Sequence, residues 1–182
     1  MTSYCKYVRS HPEDELNRLY HDNEYGFPLY EDDLLFERFV LEINQAGLSW
    51  ITILKKKDNF RRAYQGFDID KLAGFGESDV NRLLLDAGII RNRLKINAAI
   101  ENARRVHALR IEFGSFRAWL DAHHPCPLDE WTSVFKKNFL FTGREIVREF
   151  LVSTGYLPGA HDKNCPTFKK VASLNPGWAI MK

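Results

Sequence analysis

Four side chains, two near each end of the sequence, are of the types that hold metal ions: Cys5 and His21, then His161 and Cys165. Two thiolates and two imidazoles make a closed tetrahedral zinc site, and such a site would clamp ends that bury little apolar area alone. The spacings, Cys-x15-His and His-x3-Cys, also suit ordinary polar residues and small buried thiols. Cys126, between Pro125 and Pro127, has no partner of this kind. A second feature is a carboxylate on an apolar stripe, since Leu35, Phe39, Glu42 and Ala46 share one helix face. Burying an unpaired carboxylate is costly. Glu42 therefore pairs with an arginine, turns to solvent, or faces a ligand in a pocket with Tyr20, Tyr25 and Trp50 nearby. The third feature is the stretch Leu83 to Lys95, where a helix closed by Gly88 passes through Ile89-Ile90 to a second helix beginning with Arg91, Arg93 and Lys95. A helix N-terminus with basic side chains favours an anion such as phosphate. The plainer reading is an αα-hairpin with a solvated basic end.

The elements that must position these groups are helices. Apolar residues recur near every 3.6 positions over 32–46, between Asp32-Asp33 and Gly47, and Ser49 can cap a second helix over 50–64. Asp68 can cap a short helix ending near Gly74, and Ser78 one over 79–87. A long amphipathic run follows from 91 or 92 to 113, with shorter helices expected over 115–122, 129–137 and 143–154. Period-two alternation is scarce. The expectation is an all-α bundle, a single unit over 1–182 with a helical core of about 30–155 and largely irregular ends, 1–30 and 155–182.

Composition narrows the class further. At 182 residues, 45% hydrophobic and 27% charged, the chain reads as one soluble globular domain rather than a disordered or fibrous one. With 26 basic and 24 acidic side chains the net charge is +2, so binding of nucleic acid would have to come from local patches. Three scattered cysteines exclude a disulfide framework and point to a reducing compartment. No segment approaches 18 consecutive apolar residues, and the first residues lack the apolar core of a signal peptide. A cytoplasmic protein with no membrane partner is expected.

At these same residues the sequence resembles the bacterial 3-methyladenine DNA glycosylase I family, a branch of the helix-hairpin-helix glycosylases. Tyr20-His21-Asp22-Asn23-Glu24-Tyr25-Gly26 resembles Y-H-D-x-E-W-G, and Leu41-Glu42 with Gln45-Ala46-Gly47-Leu48-Ser49-Trp50 resembles L-E-x-x-Q-A-G-L-S-W. Asp86 to Arg93 with Lys95-Ile96 is similar to the family hairpin. The resemblance runs from Cys5 to Cys165 in one register. It implies a structural zinc, one per chain, on Cys5, His21, His161 and Cys165. It also implies hydrolysis of the N-glycosidic bond of alkylated purines in damaged double-stranded DNA after base flipping, with free 3-methyladenine as product. Glu42 would be the catalytic pocket acid, and Tyr7, Tyr20, Tyr25 and Trp50 would contact the base. Gly88, Ile89, Ile90, Arg91, Arg93 and Lys95 would hold DNA through its phosphates. The resemblance further implies a monomer, associated with the nucleoid only through its substrate, and a branch that lacks the catalytic aspartate usual after the hairpin.

Four departures bear on this reading. Tyr7 and Tyr25 stand where tryptophan is common, Ile43 where glycine is usual, and Arg144-Glu145 replace small polar residues. They leave room for a weakly active or inactive member that binds damaged DNA, or for one that excises a different base. A zinc-clamped helical module that binds a protein partner is the alternative from a different class.

Overall fold

In the computed structural model, which describes residues 3–180, helix α3 (Asp32–Gln45) is the axis of the molecule, because every residue from Leu35 to Asn44 is buried. A helix buried all round must be surrounded by others. Around it lie α4 (Trp50–Ala63), α5 (Ile69–Ala73), α7 (Arg93–Phe113), α8 (Phe116–His123) and α10 (Arg144–Ser153). Helices α6 (Glu77–Leu85) and α9 (Leu128–Asn138) complete the body by packing on α7 and α10. The centre is aromatic: Phe39 meets Phe135, Phe139 and Phe150 at ring separations of 5.6, 5.2 and 5.3 Å. All regular secondary structure among the described residues is helical, as the periodicity predicts.

Local chemistry sets several helix starts. The side chains of Asp68, Asn92 and Ser115 accept the amides of Lys71, Lys95 and Ala118, capping α5, α7 and α8. Asp32 does the same across space, its carboxylate accepting the amides of Phe116 and Arg117 at 2.9 and 3.0 Å. Helix α6 begins two residues earlier than the Ser78 cap predicts, because the Asp79 carboxylate reaches back to the Gly76 amide at 3.2 Å.

The ends carry short helices: the N-terminal one is a little more than half helical, and the C-terminal one stays largely irregular around two short helices. Helices α1 (Tyr4–Ser10) and α2 (Glu15–Asn23) precede α3, and α11 (Pro166–Ala172) and α12 (Gly177–Ile180) follow α10. Helices this short are marginal alone. Here Ser3 and Asp14 cap α1 and α2, Pro166 occupies the first turn of α11, and the two ends support each other. Ser3 donates to Asp162 at 2.7 Å, and the Gly26 amide donates to the Ser153 carbonyl at 2.8 Å.

Between α6 and α7 the chain turns within Asp86 to Asn92. The Gly88 amide donates to Asp86 Oδ1 at 2.7 Å, and a Cβ at Gly88 would sit 2.9 Å from that oxygen and 3.1 Å from Asn59. Gly88→Ala is therefore expected to destabilise the protein by about 1–3 kcal/mol, measured by urea unfolding. No described helix is long and apolar enough to cross a membrane.

Candidate functional site

The cysteine and histidine pairs, far apart in sequence, converge. The ligand atoms of Cys5, His21, His161 and Cys165 all lie within 4.8 Å of one another, and three of the four residues are fully buried or nearly so. Cys5 Sγ is 3.2 Å from His21 Nε2 and 3.7 Å from His161 Nδ1, the two ring nitrogens are 3.2 Å apart, and Cys165 Sγ is 3.9 Å from His21 Nε2. A tetrahedral ion with Zn–S near 2.3 Å and Zn–N near 2.05 Å has ligand–ligand edges of roughly 3.3–3.8 Å. The outer nitrogens are also engaged: His21 Nδ1 donates to Asp22 Oδ1 at 2.8 Å, and His161 Nε2 donates to the Tyr25 carbonyl at 2.7 Å. Those bonds fix the tautomers so that both inner nitrogens present lone pairs to each other, an arrangement that needs a cation between them. The residues fit a tetrahedral metal ion.

Directly beside this cluster is a cavity of about 170 Å³. Tyr4 of α1, Tyr20 of α2, Tyr25 just after α2 and Trp50 at the start of α4 form its walls. Tyr4 and Tyr25 meet edge to face at 5.3 Å, and Tyr20 lies 5.7 Å from Tyr25 and 5.1 Å from Trp50. Sequence adjacency explains the neighbourhood. Tyr4 precedes Cys5, Tyr20 precedes His21, and the Tyr25 carbonyl binds His161, so the metal-capable residues and the aromatic walls share their backbone.

Glu42, Gln45 and Glu149 also line the cavity. Glu42 is 4% exposed and makes no ion pair within 4 Å among the described residues. The nearest arginine one turn away, Arg38, is committed elsewhere: it donates to the Tyr20 hydroxyl at 3.0 Å, the Ser153 carbonyl at 3.2 Å and Glu24 at 3.3 Å. Burial pushes the Glu42 carboxyl from the usual 4.5 up to about 8, with a further rise from the charge of Glu149 and partial opposition from Arg38 and Ser153. The cavity therefore keeps a proton in its resting state and prefers a cationic occupant, which would supply the missing charge. Trp50 Nε1 is likewise a buried donor without an acceptor among the described residues. Four larger clefts hold no buried, unpaired carboxylate. In one, of about 540 Å³, Asp121 is already held by Arg117 and Tyr156, and His124 Nδ1 is a buried nitrogen without a partner among the described residues; another, of about 570 Å³, is the outer wall of the Cys/His cluster.

Several residues singled out from the sequence lie elsewhere. Tyr7 is outside the cavity: its hydroxyl donates to Asp14 at 2.9 Å and its ring stacks on His11 at 4.4 Å, and Tyr4 occupies the wall instead. Lys95 is buried, and its ammonium donates to the carbonyls of Asn44 and Ala46 at 2.9 and 2.7 Å, so it caps the end of α3 and faces away from any phosphate. Ile89 is buried in the core. Arg93 is exposed but bonded to Glu77 and Asn81 at 2.7 and 3.0 Å. Arg91 is exposed with no ion pair within 4 Å among the described residues, and the amides of Ile90 and Arg91 have no acceptor there. Ile43 is fully buried in the core, and Arg144 pairs with Asp129 at 3.0 Å on the surface, so neither departure touches the cavity. Sequence reasoning missed Tyr4, Gln45 and Glu149. Gln45 could have been found as the position one turn beyond Glu42 on the same face; Glu149, over a hundred residues away, carries no such signal.

The family model for methyladenine glycosylases matches residues 10–134, more than half of the chain and including α3 and the α6–α7 turn. The chain belongs to the methyladenine glycosylase family. Among its relatives is the DNA-3-methyladenine glycosylase of Haemophilus influenzae, 33% identical over 91% of this chain and 98% of that one. The DNA-3-methyladenine glycosylase 1 of Escherichia coli is 54% identical over a stretch that covers 50% of this chain and 49% of that one. A solved variant of 3-methyladenine DNA glycosylase I in complex with 3-methyladenine superposes with a TM-score of 0.77 at 30% identity, over 85% of this chain and 93% of that one. Family membership and the cavity agree: the chain has a small, aromatic-walled hole with two carboxyl groups in its lining.

Proposed function

We infer that this chain is a DNA-3-methyladenine glycosylase that removes alkylated purines, chiefly 3-methyladenine, from damaged duplex DNA. The observation that carries the reading is the unpaired, buried Glu42 facing a cavity walled by Tyr4, Tyr20, Tyr25 and Trp50. A purine methylated at ring nitrogen 3 is cationic in DNA and departs readily, so the enzyme needs to extrude and hold it more than to protonate it. Glu42 accepts hydrogen bonds from the edge of the flipped base and balances its charge, while the aromatic rings stack on its faces. A cavity below the ~300–1,000 Å³ of drug-sized sites admits a flat base and excludes the sugar and phosphates. Release of 3-methyladenine from methylated duplex DNA, followed by chromatography of the free bases, tests the activity; no release by metal-replete protein removes it.

Zinc on Cys5, His21, His161 and Cys165 fits the donor set and edges, and its contribution there is structural: it ties α1, α2 and the segment before α11 together and so holds three of the four cavity walls. The α6–α7 turn serves as the hairpin of a helix-hairpin-helix unit. Its open amides at Ile90 and Arg91, with the Arg91 side chain, hold a backbone phosphate without reading sequence. Arg91→Ala is expected to weaken binding to undamaged duplex and to lower the salt slope by about 1. Lys95→Met should leave that slope unchanged and instead lower stability by about 1–3 kcal/mol, through the uncapped carbonyls of α3. A titration of affinity against salt, paired with urea unfolding, separates the two. The chain works as a single unit, in the cytoplasm and as a monomer, with the released base as its other partner.

A further inference from the structure

The cavity holds a second carboxylate that the reading above does not use. Glu149, on α10, lines the same cavity as Glu42 on α3, and no lysine or arginine lines it. Its position is set by Tyr25, whose hydroxyl donates to Glu149 Oε2 at 3.1 Å. The other oxygen, Oε1, pairs with Arg148, which is half-exposed and is not part of the cavity lining. Tyr25 thus spends its only proton on Glu149, and the hydroxyl turns lone pairs rather than a donor toward the remaining space. A tryptophan at position 25 has no hydroxyl to place there, so the departure noted in the sequence and the carboxylate on α10 act as one unit. The wall opposite Glu42 is consequently an acceptor surface, close enough for its charge to be felt at Glu42.

We propose that Glu149, held by Tyr25, is a further specificity-determining residue that makes this pocket select positively charged N-alkylpurines over the neutral base. This rests on the glycosylase reading. The physical basis is the change of charge during the reaction. The base is cationic while its ring nitrogen 9 is bonded to the sugar; when that bond breaks, its electron pair stays on the nitrogen and the base leaves neutral, as the sugar carbon takes up the oxygen of water and one proton of that water passes to solvent. A second carboxylate on the lining favours the substrate form over the product form; the Glu149 side chain is about one-third exposed and its Oε1 is paired with Arg148, so it acts on the occupant through the oxygen that Tyr25 holds. Glu149 therefore tightens capture of the damaged nucleotide and not retention of the excised base.

The test compares wild type, Glu149→Gln and Glu149→Asp, each with metal bound and with its melting temperature recorded. Glutamine keeps an acceptor for the Tyr25 hydroxyl and removes the charge. The expected result for Glu149→Gln is a fall of about tenfold in kcat/KM for 3-methyladenine in duplex DNA. The dissociation constant of free 3-methyladenine, measured at a pH where it is neutral, should change by less than about twofold, and Glu149→Asp should recover most of the loss. An equal loss of both quantities would mean that Glu149 only shapes the pocket, and unchanged kcat/KM would mean that it does nothing; either overturns the proposal. Should Glu149→Gln melt much earlier than wild type, Tyr25→Phe, which frees the carboxylate without removing it, must show a smaller fall of the same kind, and none once Glu149 is replaced. Absence of 3-methyladenine release by the wild type would instead remove the glycosylase reading itself.

Discussion

Glu42→Gln is expected to lose about 10²–10³-fold in the rate of 3-methyladenine release, the usual cost of removing one preorganised electrostatic partner from an enclosed site, while the folded protein becomes more stable at alkaline pH. Both halves follow from one fact. The Glu42 carboxyl is buried without an ion pair, and its pKa rises from 4.5 to about 8. In the unfolded chain the same group titrates near its ordinary value, so between pH 4.5 and 8 the folded protein binds more protons than the unfolded one. Stability must then fall as pH rises through that window, with no penalty below it and the full penalty above it. At about 1.4 kcal/mol for each tenfold change in proton affinity, the penalty is on the order of 5 kcal/mol. Glutamine carries no charge to desolvate. Urea unfolding at acid and alkaline pH should show wild type losing stability across the window and Glu42→Gln keeping it; equal profiles would place the unpaired charge elsewhere.

The pH dependence of activity has the opposite sign. The carboxylate that holds the cationic base is the form scarce at neutral pH in the free enzyme, so kcat/KM should climb with pH toward about 8. A bound cation favours ionisation, so the same limb in kcat should lie at lower pH. Coincident limbs would show that Glu42 does not face the charge of the base.

The second large effect is expected from the metal cluster. Removing zinc with a chelator, or replacing one ligand as in Cys165→Ser, should lower the melting temperature by on the order of 10 °C, because loss of a structural metal costs several kcal/mol and each is worth about 2–4 °C in a chain of this size. The reason lies in the short helices. Helices α1, α2 and α11 span seven, nine and seven residues, and no such length is stable alone. A metal on the cluster would fasten their ends beside polar bonds such as Ser3 to Asp162, Tyr4 to Asn17, Arg9 to Asp162 and Lys170 to the Asp22 carbonyl. Base binding should fall with stability, since Tyr4, Tyr20 and Tyr25 stand beside Cys5, His21 and the carbonyl that receives His161. Metal analysis should find one zinc for each folded chain. A metal-free protein that melts at the wild-type temperature and still binds 3-methyladenine would rule out the clamp.

The helices of the body were legible in the sequence because their signals are local. Apolar periodicity and a capping side chain such as Asp68 are decided within one turn; Ser49, the cap expected for α4, instead bonds the Thr52 hydroxyl. The short helices of the ends escape the sequence for a related reason: helices of seven to nine residues show too little periodicity to be recognised, and contact with the opposite end of the chain helps to hold them. Tyr7 and Lys95 show the limit for site residues. Residue type and spacing place Lys95 in a basic cluster, yet its ammonium reaches two carbonyls on α3 fifty residues away. Tyr7 is an aromatic at the expected offset, but it lies on the face of α1 that meets Asp14 rather than the cavity.

By itself the sequence determined the helical class, the pairs Cys5, His21 and His161, Cys165 as metal-capable, and Glu42 as a carboxylate on an apolar stripe, because residue type and helical phase are properties of short stretches. Only the tertiary structure decided which reading of each was realised. Whether Glu42 is paired depends on where Arg38 points, whether four ligands meet depends on the two ends packing together, and whether the pocket holds one carboxylate or two depends on α10 bringing Glu149 to Tyr25. These are distances between residues far apart in the chain, set by how the helices pack on α3.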